Sequence, residues 1–231
     1  MSTALVNGRV LTDAGFETGK AVVLHGGRIA AIQDAGSLGA DLTRHDLGGG
    51  LLLPGFIDVQ VNGGGGVLFN DAPSLASIIE IGRVHRRFGA TGFLPTLISD
   101  DLETVRAAIA ATDAAIAAGT PGVLGVHIEG PFLNARRKGI HDASKFRVLD
   151  EAAFALLTSL KRGRTMVTLA PEKTSPAMIA RLAAAGVVVA AGHTNGGYAT
   201  IRKALASGVS GFTHLFNAMS PLTSRAPGAV G

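Results

Sequence analysis

The stretch that decides the fold is residues 122–130, GVLGVHIEG, an apolar run that ends at the carboxylate of Glu129. Two later runs, VVVAAGHTN and SGFTHLFNA, carry His193 and His214 at equivalent places. Short apolar runs of this kind are typical of buried parallel strands. Carboxylate and imidazole groups that arrive from separate strand ends can hold a catalytic metal in a barrel enzyme. The three runs therefore predict a parallel α/β fold with a hydrolytic metal site.

Outward from these runs, strand-like and helix-like segments alternate from Phe56 onward, which indicates a parallel α/β fold. Polar residues end several different strands, which favours a barrel over a doubly wound sheet with one switch point. A closed barrel needs eight strands, so we expect an incomplete TIM-type (β/α)8 barrel of about six βα units. The predicted strands are residues 56–61, 92–97, 123–129, 165–170, 187–193 and 211–217. The predicted helices are residues 73–88, 102–118, 150–162, 175–185 and 197–206, with Asp100 and Glu103 as a capping box for the second.

The amino-terminal part has a different pattern of short strands and tight turns. Residues 4–10, 20–25 and 28–33 are strand-like, and Gly26-Gly27 predicts a hairpin turn between the last two. We therefore expect two domains, a small all-β unit over residues 1–53 and a barrel over residues 54–231.

Composition excludes several classes of function. The 231 residues include no cysteine, which rules out disulfides and thiolate metal sites. The formal charge is +4, but the basic residues are scattered and accompanied by one Tyr and no Trp, which argues against a nucleic-acid surface. Neither a signal peptide nor a membrane span is visible. These features indicate a soluble cytoplasmic protein with a small-molecule substrate.

Gln60 and Asn62 close the first barrel strand, in DVQVNGGGG, and their spacing of two places both on one face. They either line the pocket or serve the following glycine turn. His127 and Glu129 also share a face. A buried glutamate is costly unless it is paired or binds a metal, whereas His127 is either a further ligand or a satisfied core imidazole.

Further candidates lie in loops at the predicted C-terminal face of the barrel. His141, in KGIHD, stands in a long polar loop and offers an imidazole for acid–base chemistry or a structural hydrogen bond. Arg225 is suited to a bidentate contact with phosphate, although a surface arginine is an equal alternative. Nitrogen and carboxylate donors at Glu129, His193 and His214 suit Zn²⁺, with Fe²⁺ or Mn²⁺ as alternatives.

Together these residues resemble the N-acetylglucosamine-6-phosphate deacetylase family of the amidohydrolase superfamily. The matching stretches are LLLPGFIDVQVNGGGG, GATGFLPTLISD, GVHIEGPFLN, KGIHD, LAPEK, AAGHTNGGY and THLFNAMSPLTSRAPG. The resemblance implies a small β-sandwich portion before the barrel and the deacetylation of N-acetylglucosamine 6-phosphate to glucosamine 6-phosphate and acetate.

The resemblance also implies roles for individual residues. Glu129, His193 and His214 match the metal ligands, and Gln60-x-Asn62 in place of a His-x-His pair implies a single divalent metal ion, with zinc as the first candidate. His141 matches the residue beside the substrate acetamide. Asn217, Ala218 and Arg225 match positions that contact the sugar phosphate, with the arginine of one subunit of a homodimer reaching its neighbour's substrate.

In the family a general acid/base Asp follows the eighth barrel strand, a position beyond Gly231. We therefore expect a C-terminally truncated chain with two open sheet edges, prone to association. Two alternatives stay open. One is a catalytically impaired fragment that binds metal or sugar phosphate, and the other is an amidohydrolase for a different N-acyl substrate.

Overall fold

The computed structural model describes residues 2–231, and the chain divides into two compact units, Met1–Gly55 and Phe56–Gly231. Each unit has its own sheets and its own buried cluster of apolar side chains. Within residues 2–231, no helix combines the length and the apolar composition that crossing a bilayer requires.

The first unit consists of short strands in two sheets, with strand orders β5-β4-β1-β6 and β3-β2-β7. The strands are β1 (Ser2–Val6), β2 (Arg9–Thr12), β3 (Gly15–Glu17), β4 (Lys20–His25), β5 (Arg28–Asp34), β6 (Thr43–Asp46) and β7 (Leu51–Leu52). The prediction of one strand over residues 4–10 is wrong, because Asn7 turns the chain at a φ of 56°. The Gly26-Gly27 turn is confirmed, since both glycines have positive φ and join the antiparallel β4 and β5.

The second unit contains six parallel strands in the order β15-β14-β13-β12-β11-β8, flanked by helices, and a small separate hairpin of β9 and β10. Its strands are β8 (Phe56–Val61), β9 (Gly63–Gly64), β10 (Val67–Leu68), β11 (Ala90–Ile98), β12 (Gly125–Glu129), β13 (Arg164–Leu169), β14 (Val188–Ala191) and β15 (Val209–Phe212). Its helices are α1 (Leu75–Arg86), α2 (Leu102–Ala117), α3 (Glu151–Leu157), α4 (Pro176–Ala184) and α5 (Tyr198–Ala206). The expectation of an incomplete (β/α)8 barrel is confirmed by this arrangement.

The six-stranded sheet is strongly curled. Strands β8 and β15 are its two edges, and five strand spacings would separate them by roughly 24 Å in a flat sheet. Yet the Nε2 atoms of Gln60, on β8, and His214, just after β15, lie 3.3 Å apart. The curl therefore brings side chains from both edges to one point, where the strand ends meet.

Most predicted helices are present with altered ends. Helix α4 begins as expected, because the Ser175 hydroxyl caps Met178 N–H and Pro176 occupies the first turn. The capping box at Asp100 is wrong: Asp101 is the N-cap of α2, and its side chain makes no capping bond. Helix α3 ends at Leu157 rather than residue 162.

The core lies between the helices and the sheet. Strand β12 is buried at all five residues, and Ile128 packs with Ile78 and Ile81 of α1 and Ile109 of α2 in one apolar cluster. Burial on this scale stabilises the unit by about 1.5–3 kcal/mol per large side chain. This rigid strand carries Glu129 at its end.

Strand β8 is an exposed apolar edge, and we expect it to drive self-association. Its only sheet partner among residues 2–231 is β11, and the side chain of Ile57 is 64% exposed. An open, apolar edge templates pairing with another chain. Replacing Ile57 with lysine should lower the weight-average mass in sedimentation at a given concentration. The matched change Ile79→Lys, on helix α1 at 48% exposure, should have a smaller effect; equal masses for all three proteins would contradict this prediction.

Candidate metal centre

Three side chains meet where the strand ends converge. Oε1 of Glu129 lies 3.0 Å from Nε2 of His193 and 2.8 Å from Nε2 of His214. The three potential ligand atoms all lie within 4.8 Å of one another. Glu129 and His193 are buried, and about a third of the His214 side chain is exposed. The residues proposed from sequence as ligands therefore share one site that is open on one side.

Both histidines stand just beyond their strands, in strained backbone. The predicted strands 187–193 and 211–217 are too long, because β14 ends at Ala191 and β15 at Phe212. His193 and His214 have φ values of 46° and 53°, the left-handed region. That conformation costs a non-glycine residue roughly 1–2 kcal/mol and persists only where surrounding contacts enforce it. Such strain is typical of side chains aimed at a functional site.

The hydrogen bonds of His193 test whether this cluster fits a metal. Its Nδ1 lies 2.7 Å from the backbone oxygen of Arg137, which only accepts, so Nδ1 carries a proton. The neutral ring then presents the lone pair of Nε2 toward Glu129 and His214, as a metal ligand must. A metal-ligating imidazole is commonly held by such a carbonyl. The donor set of two imidazoles and one carboxylate, with the open side at His214, fits a divalent metal with a free position.

Glu129 is ionised in this environment. Burial by itself raises the pKa of its carboxyl, but hydrogen bonds from His141 and from the protonated form of His193 outweigh burial, and the pKa lies well below its usual range. The second oxygen, Oε2, accepts a hydrogen bond of 2.9 Å from Nε2 of Gln60. The site therefore holds a buried negative charge, which favours a cation.

His141 belongs to the same cluster but faces it differently. Its Nδ1 accepts the backbone N–H of Ser99 at 3.2 Å and lies 2.7 Å from the Ser99 hydroxyl. The neutral ring therefore carries its proton on Nε2, 3.8 Å from Oε1 of Glu129. His141 is almost fully buried, so this N–H is a fixed donor aimed into the site. Ser99 was not among the residues predicted from sequence.

A cavity of about 320 Å³ opens over the cluster. Gln60 and Asn62 line it, as one of the two sequence hypotheses proposed, together with the cluster itself. Within residues 2–231, Nδ2 of Asn62 is buried without a hydrogen-bond partner. A buried amide donor of this kind costs free energy unless a ligand meets it. The other lining residues are Leu68, Asn70, Ile98 and Ile140.

A second cavity of about 380 Å³ adjoins the first and shares His193 and His214 with it. Asn217 and Ala218, which were candidates from sequence, line it. Arg136 and Arg137 also line it, although they were not candidates from sequence. Their guanidinium groups make this cavity positively charged. Arg225 lies exposed within residues 221–227, outside the residues that line either cavity.

His127 is a satisfied core imidazole. Its Nδ1 lies 2.9 Å from the backbone oxygen of Val59, and its Nε2 lies 2.7 Å from the Thr168 hydroxyl. Both nitrogens are thus engaged beneath the cluster, and burial lowers the pKa of His127 to about 4. Of the two hypotheses for this residue, the structure supports the core role.

We expect metal affinity to depend on pH through His193. Burial lowers the pKa of this imidazole, but the Glu129 carboxylate and the Arg137 carbonyl raise it, and the net pKa lies above its ordinary value. A metal must displace the proton on Nε2, so Zn²⁺ affinity should rise about tenfold per pH unit below that pKa and level off above it.

Competition with a chromophoric chelator between about pH 5 and pH 8 measures this dependence. The free energy of unfolding of the metal-free protein depends on pH in the opposite direction. Because the pKa of His193 is raised in the folded state, protonated His193 stabilises the metal-free protein at low pH. This stabilisation is lost as pH rises through the folded pKa. Replacing the exposed His45 with glutamine is the control, and a pH-independent affinity would contradict the assignment.

Comparison with known proteins identifies a matching family. Residues 51–229 match the model of the family described as the amidohydrolase family. An N-acetylgalactosamine-6-phosphate deacetylase from Shewanella sp. (strain ANA-3) is 45% identical over 192 residues, which cover 83% of this chain and 49% of the relative.

Two solved structures of relatives have the same fold. N-acetylglucosamine-6-phosphate deacetylase from Pasteurella multocida superimposes with a TM-score of 0.95 at 34% identity, over 100% of this chain and 61% of the other. A variant of the Mycobacterium smegmatis deacetylase in complex with N-acetyl-D-glucosamine 6-phosphate superimposes with a TM-score of 0.85 at 31% identity, over 99% and 59%. The chain thus spans about half to three fifths of the length of these relatives.

Proposed function

The chain belongs to the amidohydrolase family, and from that membership we propose that it serves the metal-dependent deacetylation of N-acetylglucosamine 6-phosphate to glucosamine 6-phosphate and acetate. The observation that carries the proposal is the cluster of Glu129, His193 and His214, with the Nε2–H of His141 fixed beside it. We propose that Glu129, His193 and His214 hold one divalent ion, zinc by preference.

The chemistry requires an activated carbonyl and a stabilised oxyanion. A divalent ion held by this cluster would supply Lewis acidity for polarising an amide carbonyl and acidifying water. His141 donates its Nε2–H to the acyl oxygen as negative charge develops there, because Ser99 keeps the other nitrogen as an acceptor. Gln60 holds the second oxygen of Glu129, so the carboxylate keeps its orientation. Asn62 offers its unpaired N–H to a polar group of the sugar.

The positively charged second cavity supports a phosphorylated substrate. A sugar whose N-acyl group enters the first cavity can extend its phosphate into the second, beside Arg136, Arg137 and Asn217. Guanidinium groups suit phosphate because their N–H donors match its oxygens. The role of Arg225, in a neighbouring subunit of a homodimer, stays a prediction.

A second candidate substrate is N-acetylgalactosamine 6-phosphate. It is favoured by one observation, the 45% identity to a deacetylase of that name. The two sugars differ only in the configuration at C4, so both place the same acetamide and phosphate in the two cavities. The choice between them needs a direct comparison of rates.

The test measures acetate released by the purified protein from both sugar phosphates and from unphosphorylated N-acetylglucosamine, with and without added Zn²⁺. Release that depends on metal and phosphate would support deacetylation by this chain. The Glu129→Gln variant should release none, and Glu103→Gln, which alters an exposed helix carboxylate, should match the parent protein. Bound metal and bound sugar phosphate without acetate would instead support the binding-protein alternative. Release of another acyl group would favour a different amidohydrolase.

A further inference from the structure

A second carboxylate, that of Glu172, organises the loops behind the metal cluster. Glu172 lies in a short 3-10 turn, Pro171–Lys173, directly after strand β13, and is half-buried. Its Oε1 accepts the side-chain N–H of Asn134 at 2.9 Å and the backbone N–H of Asn195 at 2.6 Å. Its Oε2 accepts the hydroxyl of Thr194 at 2.5 Å. One carboxylate thus connects the loops that follow strands β12, β13 and β14.

These bonds form a closed ring that includes His193. The side-chain oxygen of Asn195 accepts Nε–H of Arg137 at 3.1 Å, and the backbone oxygen of Arg137 accepts Nδ1–H of His193 at 2.7 Å. The backbone oxygen of His193 accepts Asn134 N–H at 3.0 Å. The loop that contains Asn134 and Arg137 therefore hydrogen-bonds both the imidazole and the main chain of His193. Glu172 hydrogen-bonds that loop through the side chain of Asn134.

The ring matters because the backbone of His193 is in the left-handed region, which is unfavourable for a residue other than glycine. The residues directly after it, Thr194 and Asn195, give their hydroxyl and N–H groups to Glu172. Thr194 is completely buried, so its hydroxyl has no water as an alternative partner. The turn therefore depends on an acceptor at the position of Glu172.

We propose that Glu172 is a positioning residue that sets the orientation of His193 as a ligand, acting through Arg137 and Asn195. The proposal rests on the proposed metal site. A carboxylate suits this role because it only accepts, and the three groups that face it are all donors. The amide of a glutamine would place an N–H against at least one of these donors.

The test compares metal binding by Glu172→Gln, Glu172→Ala and the parent protein. Outer-shell partners of a metal ligand typically change affinity by about 10- to 100-fold. We expect Zn²⁺ affinity to fall by that amount for Glu172→Ala and by a smaller factor for Glu172→Gln, which keeps one acceptor oxygen. With Co²⁺ as the probe, both variants should also show an altered visible absorption spectrum, because the position of one imidazole ligand changes.

The matched control is Glu151→Ala, which removes an exposed carboxylate that accepts two bonds from Arg181 and lines neither cavity. It should leave affinity and spectrum unchanged, which separates positioning from a general loss of stability. Should Glu172→Ala fail to fold, Asn195→Ala removes only the bond to Arg137 and should reproduce the altered spectrum. Parent-like Zn²⁺ affinity and Co²⁺ spectrum in folded Glu172→Gln and Asn195→Ala would overturn the inference.

These measurements do not depend on deacetylation. A parent protein that binds Zn²⁺ but releases no acetate, with weaker binding in the Glu172 variants, would support the positioning role and remove the proposed reaction. Acetate release by the parent protein, with unchanged metal binding in the variants, would support the proposed reaction and remove the positioning role.

Discussion

Replacing Glu129 with glutamine is expected to abolish tight metal binding. The change removes the one buried negative charge of the cluster while it keeps nearly the same shape. Outer-shell changes cost about 10- to 100-fold in affinity, so loss of a direct ligand should cost on the order of 1,000-fold or more. Zinc content after dialysis and chelator competition measure the effect.

The same loss is expected for His193→Ala and His214→Ala, because each supplies one ligand atom of the same cluster. The matched control Glu103→Gln alters a carboxylate that is 84% exposed and should retain full zinc content. Parent-like zinc content in Glu129→Gln or His193→Ala would remove the metal assignment.

The second large effect is expected from Gly125→Ala, in the strand that carries Glu129. A Cβ at this position would lie 1.8 Å from the backbone oxygen of Arg164 and 2.6 Å from its backbone nitrogen, on the neighbouring strand β13. Side-chain rotation cannot relieve a contact between a Cβ and a backbone. We expect the free energy of unfolding to fall by at least about 3 kcal/mol, or the protein to fail to fold.

Thermal and urea unfolding of Gly125→Ala and of Gly211→Ala measure this difference. Gly211 lies in strand β15 of the same sheet, where an added Cβ would approach only the Cβ of Ala190, at 4.0 Å. That variant should stay within about 1 kcal/mol of the parent protein. Equal stability of the two variants would show that β12 can move away from β13.

Sequence reasoning works where one physical rule decides the outcome. Apolar runs that end in polar residues located the six parallel strands, since such strands are buried on both faces. Pro176 after Ser175 located the start of α4, because those residue types suit the first turn of a helix. The cluster of Glu129, His193 and His214 followed from parallel strands whose carboxyl ends share one edge.

The parts that sequence missed depend on contacts between distant residues. Ser99, Arg137 and Glu172 serve the site through bonds to residues 42, 56 and 23 positions away, and their types carry no such signal. Strand ends were placed too late because His193 and His214 continue an apolar run while their backbone is left-handed. That conformation is imposed by the tertiary contacts around the two histidines.

The curl of the sheet also has a consequence for the order of events in folding. The parallel strands stand in the sheet in the same order as in the chain. Each strand from β11 to β15 therefore pairs with a strand that has already been synthesised. The contact between Gln60 and His214 spans 154 positions and forms only when the last strand docks. The ability to capture a metal should therefore appear late, as a signal that all six strands have assembled.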